Sequence, residues 1–395
     1  NGQVKMKKII FLISGFFFSK RDYERFGIEF FKKKHSVAIL DFTAWIYPDY
    51  WKKYSSNVCK CEELITISSK NDFLSIVQES DNIIVMDFLG NNKKTNWIRD
   101  QIRKKENLLV RFEQNMHPQE DVYISKFLRK LKYLIFSPKS FFIWFVRFIR
   151  DKYYNLKRSH CTDILIVGGL TYKKRIKAKK ILYAHSWDYD AYLKLREKSE
   201  SSKKAYAVFI DSDAPSHPDY FLFNLKPPIN ETQYYPTLTN FFKKFEIKTG
   251  LKIKVAAHPK SYNKNLPKLL KGVECLTDQT AELIKNSSMV LMHTSSAVSF
   301  AIFFKKPIIF LTSRALEKSY WGPIISNSAK LINNKVINMN DDLDKQLDFN
   351  SLMNFDEAKY KNYLDQYLKY PNSPDILSWK IFTDYLEDKK FEKIN

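Results

Sequence analysis

The chain alternates between short apolar runs and longer stretches whose apolar positions recur at helical spacing. A parallel sheet covered by helices needs that alternation, because its strands are buried on both faces while each helix hides one stripe. The first run, KKIIFLISGF, predicts a strand ending near Gly15, and an amphipathic helix is expected over residues 22–34. HSVAILDF predicts a strand ending at Asp41, DNIIVMDFLG one ending at Asp87, and ENLLVRFEQ one ending at Glu113. A long helical region over 120–157 is expected before the strand TDILIVGG, a basic helix and the short strand KILYAHS.

The polar stretch LREKSESSKK reads as a linker, and the alternation then begins again. AYAVFID ends at Asp211, LKIKVAAHP at His258 and SMVLMHTSS near His293; a helix over 297–304 leads into KPIIFLT. The pattern predicts an α/β protein of two Rossmann-like domains, residues 7–195 and 205–355, with polar helices over 356–395. In open parallel sheets ligands bind beyond the carboxyl ends of the strands. The strand-end residues Asp41, Asp87, Glu113, Asp211, His258 and Thr294 are therefore the first places to look for chemistry, together with Asp188 just before the linker.

Composition narrows the class. A chain of 395 residues favours two domains, and 44% hydrophobic residues suffice for large cores. Four cysteines do not make a disulfide framework, and Cys59 and Cys61 have no second pair at metal-ligand spacing, so a reduced cytoplasmic protein is expected. The apolar start is not followed by a small-residue cleavage site, so no signal peptide is expected. The net charge of +23 implies an anionic partner, namely nucleic acid, a membrane surface or a phosphorylated substrate. A coding bias toward Lys, Asn, Ile and Phe would give the same excess. There is no GxxxxGK[ST] loop, no GxSxG elbow and no helix-turn-helix, RNP or zinc signature.

The densest chemistry follows the strands of the second half. One strand ends in His258-Pro259-Lys260, and a later one ends in His293 followed by Thr294-Ser295-Ser296 at a helix start. Hydroxyls and free backbone N–H groups at a helix start make an anion site, and an imidazole from a neighbouring strand end can bond the same phosphate. Taken alone, Thr294–Ser296 also reads as simple capping, and His-Pro recurs at His117-Pro118 and His217-Pro218.

In this order and context the segments resemble the C-terminal domain of GT-B glycosyltransferases. Within that superfamily they resemble bacterial sialyltransferases and Kdo-type transferases, which hold a CMP-activated donor with a His-Pro motif and a later Ser/Thr pair. The resemblance covers residues 205–313 in detail and the first half in architecture only. It implies a GT-B fold with two sheets facing a cleft, an acceptor-binding first domain, a nucleotide-sugar-binding second domain, C-terminal helices over 356–395 packing back towards the first domain, donor contacts from His258, Pro259, Lys260, Thr294, Ser295 and Ser296, and His258 stabilising the leaving phosphate. SSAVSFAIFF lacks the Glu that many GT-B enzymes use to hold the donor ribose, which favours a CMP-type over a UDP-type donor.

Three further segments carry alternatives. In HSWDYDAYL, Asp188 and Asp190 are the expected acceptor-side base, or else helix-capping residues; Asp41, Asp87 and Glu113 are the other candidates. In FIDSDAPSHPDY, Asp211 and Asp213 face the nucleotide without metal or else build a turn. The basic aromatic stretch 139–158 is too short and charged to span a bilayer, and either lies on an anionic membrane or packs in the core. Gly168-Gly169 allows close approach of substrate or a tight turn.

The expected function is an inverting, metal-independent transferase without cofactor. It would move a CMP-activated nonulosonic acid or Kdo-like sugar to a bacterial surface glycan or lipid-linked acceptor, in the cytoplasm or at the inner membrane face. The alternatives are a UDP-sugar-dependent GT-B transferase, a sugar-nucleotide epimerase-like enzyme, and a basic nucleic-acid-binding protein.

Overall fold

A computed structural model describes residues 8–78, 82–114, 118, 162–172, 176–198, 206–259, 265–346 and 353–388. The chain divides into two compact units. Among the described residues, the first runs to Glu113 and adds 162–167 and 176–182, and the second holds Gln114, Pro118, 168–172 and everything from Tyr183. The expected boundary at 195 thus falls at 182/183. The helix Trp187–Arg196 and the C-terminal helices Glu357–Tyr363 and Ser378–Asp388 belong to the second unit.

The first unit is built on β1 (Lys8–Ile13), β2 (Ser36–Asp41), β3 (Leu64–Thr66), β4 (Ile84–Asp87), β5 (Leu108–Glu113), β6 (Thr162–Val167) and β7 (Ala178–Tyr183), in the order β3-β2-β1-β4-β5-β6-β7. The pairings from β3 across to β6 are parallel. Ile9 to Ile13 are all buried, as a strand covered on both faces must be. The expected helix over 22–34 is broken at Gly27, whose φ of 64° lies in the left-handed region, into Lys20–Arg25 and Ile28–Lys32.

The second unit holds β8 (Tyr206–Ile210), β9 (Lys252–Ala256), β10 (Glu274–Leu276), β11 (Met289–Met292), β12 (Ile308–Thr312) and β13 (Val336–Asn338), in the order β10-β9-β8-β11-β12-β13 with parallel pairings. The chain winds outward one way from β8 and the other way from β11. The gap between these two strands is the topological switch point where such sheets bind ligands. In the first sheet β1 and β4 hold the same position.

The core of the second unit joins β8, β9, β11 and β12 to the helix Glu231–Thr249 through Tyr234, Leu238, Phe241, Phe242 and Phe245, all fully buried. Each such side chain contributes about 1.5–3 kcal/mol of burial. Tyr189 and Leu193 belong to the same core, and Tyr189 packs edge-on against Phe303 at 5.2 Å, which is why the 187–196 helix sits in this unit. Gly168-Gly169 proves to be a packing site. A Cβ on Gly169 would lie 2.7 Å from the Gln366 carbonyl oxygen, and Thr171 N–H donates to that same oxygen at 2.7 Å.

The expected helix over 120–157, the basic aromatic stretch 139–158, Lys260 and most of the linker lie outside the described residues. No described helix is long and apolar enough to cross a membrane.

Candidate functional site

At the switch point of the second sheet, Ile210 of β8 is paired with Met292 of β11 and with Ala256 of β9. The residues that follow these strands therefore share one edge. Ser212 Oγ donates to the Thr294 carbonyl oxygen at 2.7 Å and ties the β8 end to the β11 end. Asp211 ties β8 to β9, its Oδ1 accepting from Asp213 N at 2.9 Å and its Oδ2 from His258 N at 3.4 Å. Asp213 adopts a left-handed φ of 45°, which Asp tolerates better than most residues, and its carboxylate accepts from Ser216 Oγ at 3.0 Å. Both carboxylates are buried and spent on shaping this turn, as the Asp-Ser-Pro composition allowed. Among the described residues no group of three or more His, Cys, Asp or Glu is set to hold a metal ion.

The turn places His217 beside His258, with ring centroids 4.6 Å apart and planes at 63°. His217 Nδ1 accepts from Asp219 N at 3.1 Å, which leaves the ring hydrogen on Nε2. Two half-buried imidazoles thus stand at the ends of β8 and β9. Sequence reasoning set His217 aside as a stray His-Pro. Its signal was there: like His258-Pro259, it follows a strand end within a few residues.

His293 has a different job. It is fully buried, with Nδ1 donating to the Leu311 carbonyl oxygen at 2.8 Å and Nε2 accepting from Tyr234 Oη at 3.1 Å. Burial lowers its pKa to about 4 against the opposing pull of the Leu311 carbonyl, so the ring is neutral. It clamps the end of β11 to β12 and to the 231–249 helix. Beyond it Thr294 and Ser295 are half-buried and Ser296 is exposed. Ser295 Oγ accepts from Ala297 N at 3.2 Å, and the following helix is a short Val298–Phe303. Ser295 thus closes a local turn, and the helix N-cap residue, Ala297, makes no side-chain cap, so the expected capping role is not what holds this loop.

Asp188 and Asp190 lie in the first turn of the 187–196 helix, and each is engaged internally. Asp188, 1% exposed, accepts from Ser299 Oγ at 2.5 Å, and Ser299 Oγ also lies 2.9 Å from the Ser296 carbonyl oxygen. Asp190 accepts from Ser378 N at 2.7 Å and Ser378 Oγ at 2.5 Å, and so caps the 378–388 helix. Burial holds its pKa above the ordinary carboxylate value, partly offset by His185, whose Nδ1 is 3.6 Å away. The structure therefore places the two expected bases in bracing positions, one behind the 294–296 loop and one under the C-terminal helix.

The carboxyl edge of the first sheet is acidic. In register, Asp41 is paired with Ile13 of β1 and Asp87 with Leu12 on the other side. Asp87 is neutralised by the buried Arg99, whose Nε and Nη2 reach its two oxygens at 2.7 and 3.1 Å, with Arg111 Nε 3.6 Å away. Asp41 has no cation partner among the described residues. Its Oδ1 accepts from Thr43 N at 2.8 Å and Thr43 Oγ1 at 2.5 Å, and burial pushes its pKa up to about 6.

No protein-family model matches this chain, and no curated protein matches it in sequence. Its structure is similar to a protein from Listeria monocytogenes described as a UDP-N-acetylglucosamine 2-epimerase, with a TM-score of 0.51, 9% identity, and coverage of 99% of this chain and 98% of that one. It is similar to another UDP-N-acetylglucosamine 2-epimerase at a TM-score of 0.50 and 11% identity, covering 98% and 97%. MurG from Acinetobacter baumannii follows at 0.46 and 10%, covering 97% and 99%. At such identities the likeness is one of architecture, and with the two parallel sheets it shows that this chain has the GT-B fold.

Proposed function

We propose that this chain is a nucleotide-sugar-dependent glycosyltransferase that takes a UDP-sugar and transfers the sugar to a glycan or glycolipid hydroxyl. The observation that carries the reading is the edge of the second sheet. There Ser212, His217, His258 and the 294–296 loop converge at a switch point of a GT-B fold. Imidazole N–H groups, hydroxyls and loop amides suit a nucleotide phosphate, and the same donors stabilise the charge that develops on it as it leaves. In this reading His258 and His217 bond the phosphate, while Asp211 and Asp213 hold the turn that aims them.

The donor class moves from the CMP-sugar of the sequence expectation to a UDP-sugar. The His-Pro and Ser/Thr pattern and the missing ribose Glu favour CMP, whereas the similar structures reported at TM-scores of 0.51 and 0.50 are named for UDP-N-acetylglucosamine. Those names also favour a second reading, an epimerase. Against it, the two carboxylates at this edge are already spent on backbone and hydroxyl bonds. Incubation with UDP-N-acetylglucosamine separates the two by proton NMR. Release of UDP that His258→Ala abolishes supports the transferase. A C2 epimer of the intact nucleotide sugar supports the epimerase. Neither product, with no nucleotide binding, rejects both.

A further inference from the structure

Single apolar side chains on a surface need no explanation, whereas several together mark a surface that something covers. Among the described residues, Ile65, Ile247 and Ile376 are exposed singly, far apart along the chain. Three others fall on one turn of the second unit: Phe221, Phe223 and Leu225, at 44%, 61% and 48% exposure. The turn is firmly built. Tyr220 beneath it is buried, and its Oη donates to the Ala214 carbonyl oxygen at 2.9 Å. Phe223 N donates to the Asp219 carbonyl oxygen at 2.9 Å and Leu225 N to that of Tyr220 at 2.8 Å, while Asn224 takes a left-handed φ of 51° that asparagine tolerates. In a helix end of this kind the residue at the place of Leu225 often packs back on the one at the place of Tyr220. Here Leu225 stays exposed, and the turn holds its apolar side chains out.

The charges beside the turn say what covers it. Lys226 follows directly and is exposed. Tyr320 Oη donates to the Lys226 carbonyl oxygen at 3.4 Å, which ties Lys226 to the segment that carries the exposed Lys318. Neither lysine has a carboxylate partner among the described residues. The acids nearest in sequence face other groups. Glu231 accepts from Ser216 Oγ at 3.2 Å, Glu317 accepts from Asn338 Nδ2 at 2.9 Å, and Asp219, at the start of the turn, lies 3.6 Å from His217 Nδ1. The exposed area of the three apolar side chains is on the order of 300 Å², whereas a stable dimer buries about 800 Å² on each partner. The patch is too small for a second copy of the chain. An apolar tip flanked by cations matches a bilayer interface, where apolar side chains enter the headgroup layer and lysines meet anionic lipid.

We propose that the turn 221–226 docks the second unit on an anionic lipid bilayer. Phe221, Phe223 and Leu225 enter the headgroup layer, and Lys226 and Lys318 meet lipid phosphates. The surface is distinct from the basic aromatic stretch 139–158, and it stands without the transferase reading. Joined to that reading, it names the acceptor class. Tyr220 N donates to the His217 carbonyl oxygen at 3.0 Å, so the docking turn and His217 are parts of one folded segment. Docking holds the His217–His258 edge beside the membrane, and the acceptor hydroxyl is then that of a glycolipid.

The test is co-sedimentation of the full chain with two kinds of vesicle, phosphatidylcholine alone and phosphatidylcholine mixed in equal parts with phosphatidylglycerol. Wild type should sediment with the mixed vesicles, less so as salt rises, and not with phosphatidylcholine alone. Phe223→Ser should lower the partition coefficient at least about tenfold, and Lys226→Gln about fivefold. Ile247→Ser is the control. Ile247 is 86% exposed but stands apart from the turn, so its loss should leave binding as in wild type. All three side chains are exposed, so the variants should melt with wild type. Absence of wild-type sedimentation overturns the proposal, as does equal sedimentation with both vesicles. Unchanged binding of Phe223→Ser also overturns it, because the membrane contact then lies elsewhere in the chain. Self-association that Phe223→Ser abolishes, without vesicle binding, overturns it in favour of a second copy. UDP should raise the melting temperature of wild type and Phe223→Ser alike; its failure to do so counts against the donor-site reading and leaves the vesicle result standing.

Discussion

The two sheets share one winding order, yet their carboxyl edges carry opposite chemistry. The first presents carboxylates, Asp41 and Asp87, at the flanks of β1. The second presents imidazoles and hydroxyls, with its carboxylates folded inward into the turn after β8. One backbone design supplies the same address twice, and side chains decide what each address receives.

The largest expected effect tests the division of labour within the acidic edge. Asp87→Ala strands a buried guanidinium and should destabilise the first unit by about 3–5 kcal/mol, read by denaturant unfolding. A loss below about 1 kcal/mol would mean that Arg99 is solvated and Asp87 free for chemistry.

Next comes a contrast in pH. His293 has its pKa lowered to about 4, so its contribution of about 3 kcal/mol is present above the unfolded-state value near 6.5 and is lost as pH falls toward 4. Asp41, raised to about 6, does the reverse: its charge costs about 3 kcal/mol above pH 6, a cost that fades as pH falls toward the unfolded carboxyl value near 4. Hydrogen exchange resolved to each unit between pH 4 and 7 should show protection rising with pH around β11 and falling around β2. Parallel slopes would break the comparison.

A smaller effect sharpens the donor edge. His258→Ala should weaken nucleotide binding by about 1.5–3 kcal/mol, or roughly 10- to 150-fold, with the melting temperature of the free protein unchanged. His217→Ala should fall in the same direction. Unchanged affinity in both would remove the imidazoles from the site.

The smallest effect separates bracing from catalysis at Asp188. Asp188→Asn keeps an acceptor for Ser299 and should change nucleotide affinity and turnover by less than about 1 kcal/mol, whereas Asp188→Leu removes that acceptor and should loosen the 294–296 loop by about 1–3 kcal/mol. Abolished turnover in Asp188→Asn alone would restore the base role that the sequence suggested.

The long central strands were legible because each is a run of buried residues closed by a polar one, as in IIFLI or VLM before His293. The edge strands β3, β10 and β13 were not, since three residues carry no readable period. The strand-end rule located Asp41, Asp87, Asp211, His258 and Thr294 at the carboxyl ends of their strands. It could not tell a compensated charge from an uncompensated one: Asp87 is met by Arg99 and Arg111, 12 and 24 residues further on, and the sequence does not show that their side chains turn back to it. Asp188 and Asp190 looked catalytic because their partners, Ser299 and Ser378, lie far along the chain. The 187–196 helix was assigned to the first domain because its apolar face gives no hint of which core it joins.

The central claim is that the edge of the second sheet binds a nucleotide. A thermal-shift panel of UDP, UMP, CMP, CDP, GDP and NAD, each with and without EDTA, tests it directly, since a ligand of the native state raises the melting temperature by mass action. The account predicts a shift with UDP that survives EDTA and is lost in His258→Ala. A shift with CMP or CDP alone would return the donor to the CMP class, and no shift with any nucleotide would contradict the account.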